Sequence, residues 1–172
     1  GSLEEDIFYD TDGSNTAQVQ SVIANLQSYV DGGGLIMASD WSYDVVEQAW
    51  PDMVDFYGDD LIPGDAEKGL ATTVDADVTF DKLKDKVGAN TMRIQLDMDT
   101  YPIVSGVDSS VSVMLRSDVP WRFGLTQGTE SSSPLLLSFS SGQGKVIYAS
   151  YRQTSNLTDE GKSALSWLLK DQ

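Results

Sequence analysis

Apolar residues along the chain recur at two spacings, and the change from one to the other sets the expected elements. Asp6 to Tyr9 reads as a short apolar strand, followed by a polar loop from Asp10 to Thr16. Val19, Val22, Ile23, Leu26, Tyr29 and Val30 then recur at helical spacing. Asn15 with Gln18 resembles a capping box, and Thr16 is the alternative cap. Gly32, Gly33 and Gly34 stop this helix and turn the chain. Leu35-Ile36-Met37-Ala38 is an unbroken apolar run, the pattern of a strand covered on both faces. A second helix is expected from Ser42 to Trp50, with Val45, Val46 and Ala49 inward and Pro51 ending it.

The spacing then drops to two. Val74, Ala76, Val78 and Phe80 alternate with polar residues, as do Met92, Ile94, Leu96 and Met98. Half-exposed antiparallel strands are expected there, with a short amphipathic helix from Asp81 to Val87 between them. Val111, Val113 and Leu115 alternate again. Pro134 to Phe139 reads as a second buried strand, Ser141 to Gly144 as a tight hairpin turn, and Lys145 to Ser150 as the returning strand. Thr158, followed by Asp159 and Glu160, opens a last helix whose inner face is Ala164, Leu165, Leu168 and Leu169, with Trp167 beside it. Strand, helix, strand, helix at the start argues for an α/β fold of three layers around a mostly parallel sheet. The whole chain, 1–172, is expected to be one domain, with an inserted or edge subdomain at about 61–101.

Composition narrows the chemistry. Acidic residues number 27 against 11 basic ones, a net charge of −16. Phosphate backbones and anionic membrane surfaces are repelled by such a net charge, so no nucleic-acid partner is expected. No apolar run approaches membrane-spanning length, so no membrane insertion is expected. Cysteine and histidine are both absent. Disulfides, thiolate chemistry, ordinary zinc sites and a Ser-His-Asp triad are therefore excluded. A bound metal would be a hard cation on oxygen ligands, such as calcium or magnesium. Gly1 and Ser2 have the look of a scar left by tag removal, so the chain is expected to be a piece cut from a longer protein.

Two stretches together resemble a known family. Leu26-Gln27-Ser28-Tyr29-Val30-Asp31-Gly32-Gly33-Gly34-Leu35-Ile36 is similar to the helix, triple-glycine, strand segment of class I glutamine amidotransferase-like proteins, closest to their ThuA-like branch. Pro134 to Phe139 followed by Gly142-Gln143-Gly144-Lys145-Val146-Ile147-Tyr148-Ala149-Ser150-Tyr151 resembles the closing hairpin of that superfamily, and the helix after Thr158 fits as well. The resemblance implies a flavodoxin/amidotransferase-like sheet, with the chain starting after the family's first strand and helix. It also implies that the residue following the Leu35–Ala38 strand sits on a sharp turn. In the family that turn carries a cysteine or a histidine; here it carries Ser39-Asp40-Trp41. The family's histidine after the closing strand is replaced around Ser150-Tyr151-Arg152. The parts needed for glutamine hydrolysis are missing.

Ligands of open α/β sheets bind beyond the carboxyl ends of the strands. Ser39, Asp40, Trp41, Tyr151 and Arg152 are thus the candidate ligand-binding set, with Arg152 able to clamp a carboxylate or sugar acid and Trp41 to stack on a ring. The plainer expectation is that Asp40 caps the next helix and Arg152 pairs with it. Asp10, Asp12 and Ser14 are the candidate calcium ligands, although Gly13 falls at the wrong position for an EF-hand. Asp40-Trp41-Ser42-Tyr43-Asp44 faintly echoes the magnesium motif of integrin-type domains, with Asp44 in place of the last serine. Trp50, Phe56, Tyr57, Trp121 and Phe123 are either a carbohydrate platform or core. The expected function is a non-catalytic structural or ligand-binding module of a larger secreted or surface-associated protein, its partners being other domains of that protein or a small molecule. The alternatives are a carboxylate-dependent enzyme acting on a sugar or small acid, and a calcium-stabilised adhesion module.

Overall fold

In the computed structural model, residues 16–58, 66–97 and 101–152 are described, together with Ala164, Trp167 and Leu168. Helix α1 (Thr16–Asp31) leads into strand β1 (Leu35–Ser39), a single 3-10 turn (Asp40–Ser42) and helix α2 (Tyr43–Ala49). Strands β2 (Val54–Phe56) and β3 (Thr72–Val78), helix α3 (Asp81–Val87) and strands β4 (Thr91–Leu96), β5 (Val104–Val107), β6 (Ser112–Phe123), β7 (Thr126–Ser141) and β8 (Gly144–Ala149) follow. Six strands form one sheet in the order β1-β8-β7-β6-β3-β4, and β2 pairs with β5 in a second, two-stranded sheet.

The expected three-layer, mostly parallel flavodoxin/amidotransferase-like sheet is not what forms. The fold is mostly β, with a mixed sheet curled into a half-barrel and few helices. Among the described residues only β1 and β8 run parallel; the pairs β8–β7, β7–β6, β6–β3 and β3–β4 are antiparallel. For the β6–β7 and β7–β8 pairs, connection length is the physical reason. A parallel neighbour needs a crossover of a dozen or more residues, whereas a two-residue link permits only a hairpin. β6 reaches β7 through Gly124-Leu125 alone, and β7 reaches β8 through Gly142-Gln143 alone. The α/β and amidotransferase-like reading of the chain falls with that topology. Leu35–Ala38, expected as a central strand covered on both faces, is the outer strand of the sheet among the described residues, and only Ala38 of β1 is buried.

The stretch read as an inserted or edge subdomain supplies β3 and β4, outer strands of the same sheet, joined to it through Asp77↔Arg116 and Val78↔Leu115. Within the strands their period-two pattern is found: Ala76, Val78, Met92, Ile94 and Leu96 are buried and the residues between them face outward, while Phe80 falls beyond β3 at the N-cap of α3 and Met98 lies outside the described residues.

Two apolar cores lie on opposite faces of the central strands. On one, Val19, Ile23 and Val30 of α1 and Tyr43, Val46 and Ala49 of α2 meet Leu137, Phe139, Val146 and Tyr148. On the other, α3 contributes Leu83, and Ala164, Trp167 and Leu168 join Ile147, Ala149 and Tyr151. Each fully buried aliphatic side chain contributes roughly 1.5–3 kcal/mol, which is why β7 and β8 read as continuous apolar runs.

The end of α1 is locked to the β7–β8 turn. Gly34 N donates to Tyr29 O (2.9 Å) and Gly33 N to Val30 O (2.8 Å), with Gly33 at φ 103, a Schellman ending that only glycine adopts without strain. Gln143 N then donates to Asp31 O (3.0 Å) and Lys145 N to Gly34 O (3.1 Å). Ser141 Oγ donates to Asp31 Oδ1 (2.6 Å) and itself accepts from Trp50 Nε1 (3.1 Å). These bonds align β1 beside β8 and so fix where the tip of β1 emerges.

Candidate functional site

The backbone turns sharply where β1 ends. Ser39 is still extended and pairs with Ala149, but Asp40 adopts φ 54, in the left-handed region that a non-glycine residue enters at a cost of about 1–2 kcal/mol. Aspartate tolerates this region better than most residues. Two bonds from distant side chains hold it there. Tyr148 Oη donates to the Asp40 carbonyl at 3.1 Å, and Arg152 Nε donates to Asp40 Oδ2 at 3.1 Å. The Asp40 side chain is 13% exposed and that of Arg152 47% exposed. Burial pushes the Asp40 carboxyl above its ordinary value; Arg152 pulls it back down, and the charge of Asp97 pushes it up again. Tyr148 is fully buried, and burial together with the Asp40 charge raises its phenol far above the usual value, so it remains a donor. Tyr148→Phe deletes the bond to the turn and should cost about 1 kcal/mol, seen as a fall in Tm of about 2–4 °C. An unchanged Tm would mean that the turn stands without the hydroxyl.

Trp41 follows directly. Its ring packs edge-on against Tyr43 (centroids 5.5 Å apart), Tyr43 against Phe56 (4.9 Å), and Phe56 against Tyr148 (5.3 Å). This aromatic series anchors a half-exposed indole in the core. Lys68 places its ammonium 5.3 Å from the centroid of the Trp41 ring, a cation–π contact.

The structure thus brings together Ser39, Asp40, Trp41 and Arg152 of the expected ligand set. Tyr151 departs from them: it is buried in the core on the face away from Tyr148, and burial alone raises its phenol. The plainer expectation for Asp40 is half met. Arg152 does pair with it, but its side chain caps no helix; Ser39 and Ser42 hold the N-cap positions of the 3-10 turn and of α2, neither through a side-chain bond. Asp44 of the integrin-like echo is buried within α2. Asp10, Asp12 and Ser14 lie outside the described residues, and among the described residues no group of three acidic side chains is gathered for a metal. The proposed aromatic platform divides. Trp50 and Phe56 are core, Tyr57 packs on Trp121 at 5.2 Å, and Phe123 is exposed at the β6–β7 turn. Lys68 was missed in the sequence because no motif surrounds it; the one signal was the scarcity of basic residues in so acidic a chain.

No protein-family model matches this chain, and no curated protein matches it. Among solved structures it is similar to the β-galactosidase from Rahnella sp. R3 (12% identity, TM-score 0.47, covering 87% of this chain and 20% of that one). It is also similar to the β-galactosidase from Bacillus circulans sp. alkalophilus (11% identity, TM-score 0.47, covering 87% and 20%). A cytoplasmic protein from Salmonella typhimurium is similar at 15% identity and TM-score 0.43, over 78% of this chain and 50% of that one. The chain spans only 20% of either galactosidase. Similarity at this level carries no inference about activity.

Proposed function

We propose that this chain is a non-catalytic binding module of a larger extracellular or cell-surface protein, and that its recognition centre is the tip of β1. The carrying observation is the state of Asp40. Its carboxylate stands on the sharpest turn of the site and is already engaged by Arg152, beside an indole ring that is half exposed. With cysteine and histidine absent from the sequence, neither thiolate nor imidazole can act there. What the tip offers is a stacking ring and exposed cations, which are tools of recognition.

A second reading has one observation in its favour. The Asp40 carboxyl is raised by burial, and the charge of Asp97 adds to the rise, the arrangement that suits a general acid with a second carboxylate nearby. Incubating the purified chain with nitrophenyl glycosides, nitrophenyl esters and glutamine separates the two. Turnover no greater than in a protein-free blank is expected. Turnover that disappears in Asp40→Asn would overturn the binding-module reading in favour of the enzyme.

A further inference from the structure

The short stretch after β2 that carries Lys68 lies against β6. Gly69 bridges Trp121, Arg122 N donates to Lys68 O (3.2 Å), and Leu70 N donates to Pro120 O (2.9 Å). In this antiparallel register Lys68 stands directly opposite Arg122, so the two side chains share one face. Lys68 reaches Trp41 on that face. Two exposed cations facing each other across a strand pair destabilise it. Yet acidic residues outnumber basic ones 27 to 11 in this chain, and among the described residues neither cation has a carboxylate partner. A like-charge pair left uncompensated beside an aromatic ring is the kind of local conflict that proteins keep at functional positions.

Building on the binding-module reading above, we propose that the Lys68–Arg122 pair and the Trp41 ring bind an anionic saccharide, a sugar unit bearing a carboxylate or a sulfate. A carboxylate or sulfate bridging Lys68 and Arg122 relieves their repulsion through charge-assisted hydrogen bonds. Because the Lys68 ammonium lies over the indole, an anion drawn to it is delivered beside the ring, and its sugar packs C–H groups on the part of the ring that Lys68 leaves uncovered. A neutral sugar has no use for the two cations, and a bare inorganic anion has none for the ring. Arg152 serves a different purpose at the same tip: it neutralises Asp40, which would otherwise repel the ligand.

The test follows the indole N–H resonances of the ¹⁵N-labelled chain, with that of Trp41 assigned by its loss in Trp41→Phe. Trigalacturonate, a sulfated trisaccharide and maltotriose are titrated separately. The Trp41 resonance is expected to move saturably with trigalacturonate, with the sulfated trisaccharide or with both; which of them acts identifies the anionic group. Maltotriose is expected to leave it in place. Lys68→Glu and Arg122→Glu should each weaken binding about tenfold or more, and added salt should weaken it further. Lys82→Glu, the same charge change at an exposed position of α3, should leave the affinity unchanged. Melting curves establish that each variant is folded. Equal response to maltotriose, equal weakening by Lys82→Glu, or no response to either anionic probe overturns the assignment of ligand class. Asp40-dependent turnover, by contrast, overturns the binding-module reading itself.

Discussion

Gly144→Ala should cost about 3 kcal/mol or more, lowering Tm by roughly 6–12 °C. A methyl group at Gly144 overlaps the carbonyl oxygens of Val30 and Gly34. Both belong to the locked end of α1, where Val30 O accepts from Gly33 and Gly34 O accepts from Lys145. Neither carbonyl can retreat without breaking the bond it makes, so the strain cannot be absorbed by a side-chain rotation. Gly33→Ala is the internal control. Open space surrounds Gly33, so the substitution meets only the cost of φ 103. That cost is about 1–2 kcal/mol. Equal melting temperatures for the two variants, measured by thermal circular dichroism, would show that the β7–β8 turn does not sit against the end of α1.

Arg152→Ala should destabilise the chain at neutral pH and leave it almost unaffected in acid. Burial holds the Asp40 carboxyl above the ordinary value of 3.8, and Arg152 restrains that rise. A carboxyl whose folded value lies above its unfolded one holds its proton more tightly in the folded chain. Stability therefore falls as pH climbs from 3.8 through the folded value, and the full cost applies above it. Removing Arg152 enlarges that cost by leaving the ionised carboxylate without its partner. The gap between variant and wild type is thus closed below 3.8, where Asp40 is protonated in both, and opens as pH rises. Because Arg152 is 47% exposed, the gap at neutral pH lies between the surface and buried extremes, about 1–2 kcal/mol. Urea unfolding at several pH values measures it. A gap that is the same below 3.8 as at neutral pH would mean that Arg152 contributes packing and not charge.

The sequence made the local features of this architecture legible and its topology illegible. The stripe from Val19 to Val30 (apart from Tyr29, which is exposed), the triple glycine after it, the alternation of β3 and β4 and the turn at Gly142-Gln143 all depend on neighbours within a few residues, and all are found. Pairing direction depends on which elements meet across the chain, and helix-then-strand patterning at the start pointed to parallel neighbours that the later hairpins do not supply. The long arms β6 and β7 were read as short strands. Pro120, Pro134 and the polar run from Thr126 to Ser133 imitate loops, yet all lie within the β6–β7 pair, Pro120 opposite Thr129 in unbroken register and Pro134 beside a bulge. At the site, the Asp40–Arg152 contact was anticipated from the placement of both residues at strand ends. The Lys68–Arg122 juxtaposition was not, since it arises from a cross-strand register spanning more than fifty residues, which no local pattern encodes.

Carboxyl-carbon NMR of Asp40, in the wild-type chain and in Arg152→Ala, tests most directly whether the tip of β1 is held by this ion pair. A midpoint above 3.8 in the wild type that moves further upward without Arg152 is the expected result. A midpoint at or below 3.8 that ignores the substitution would contradict it, and with it the placement of the recognition centre at Asp40, Trp41 and Arg152.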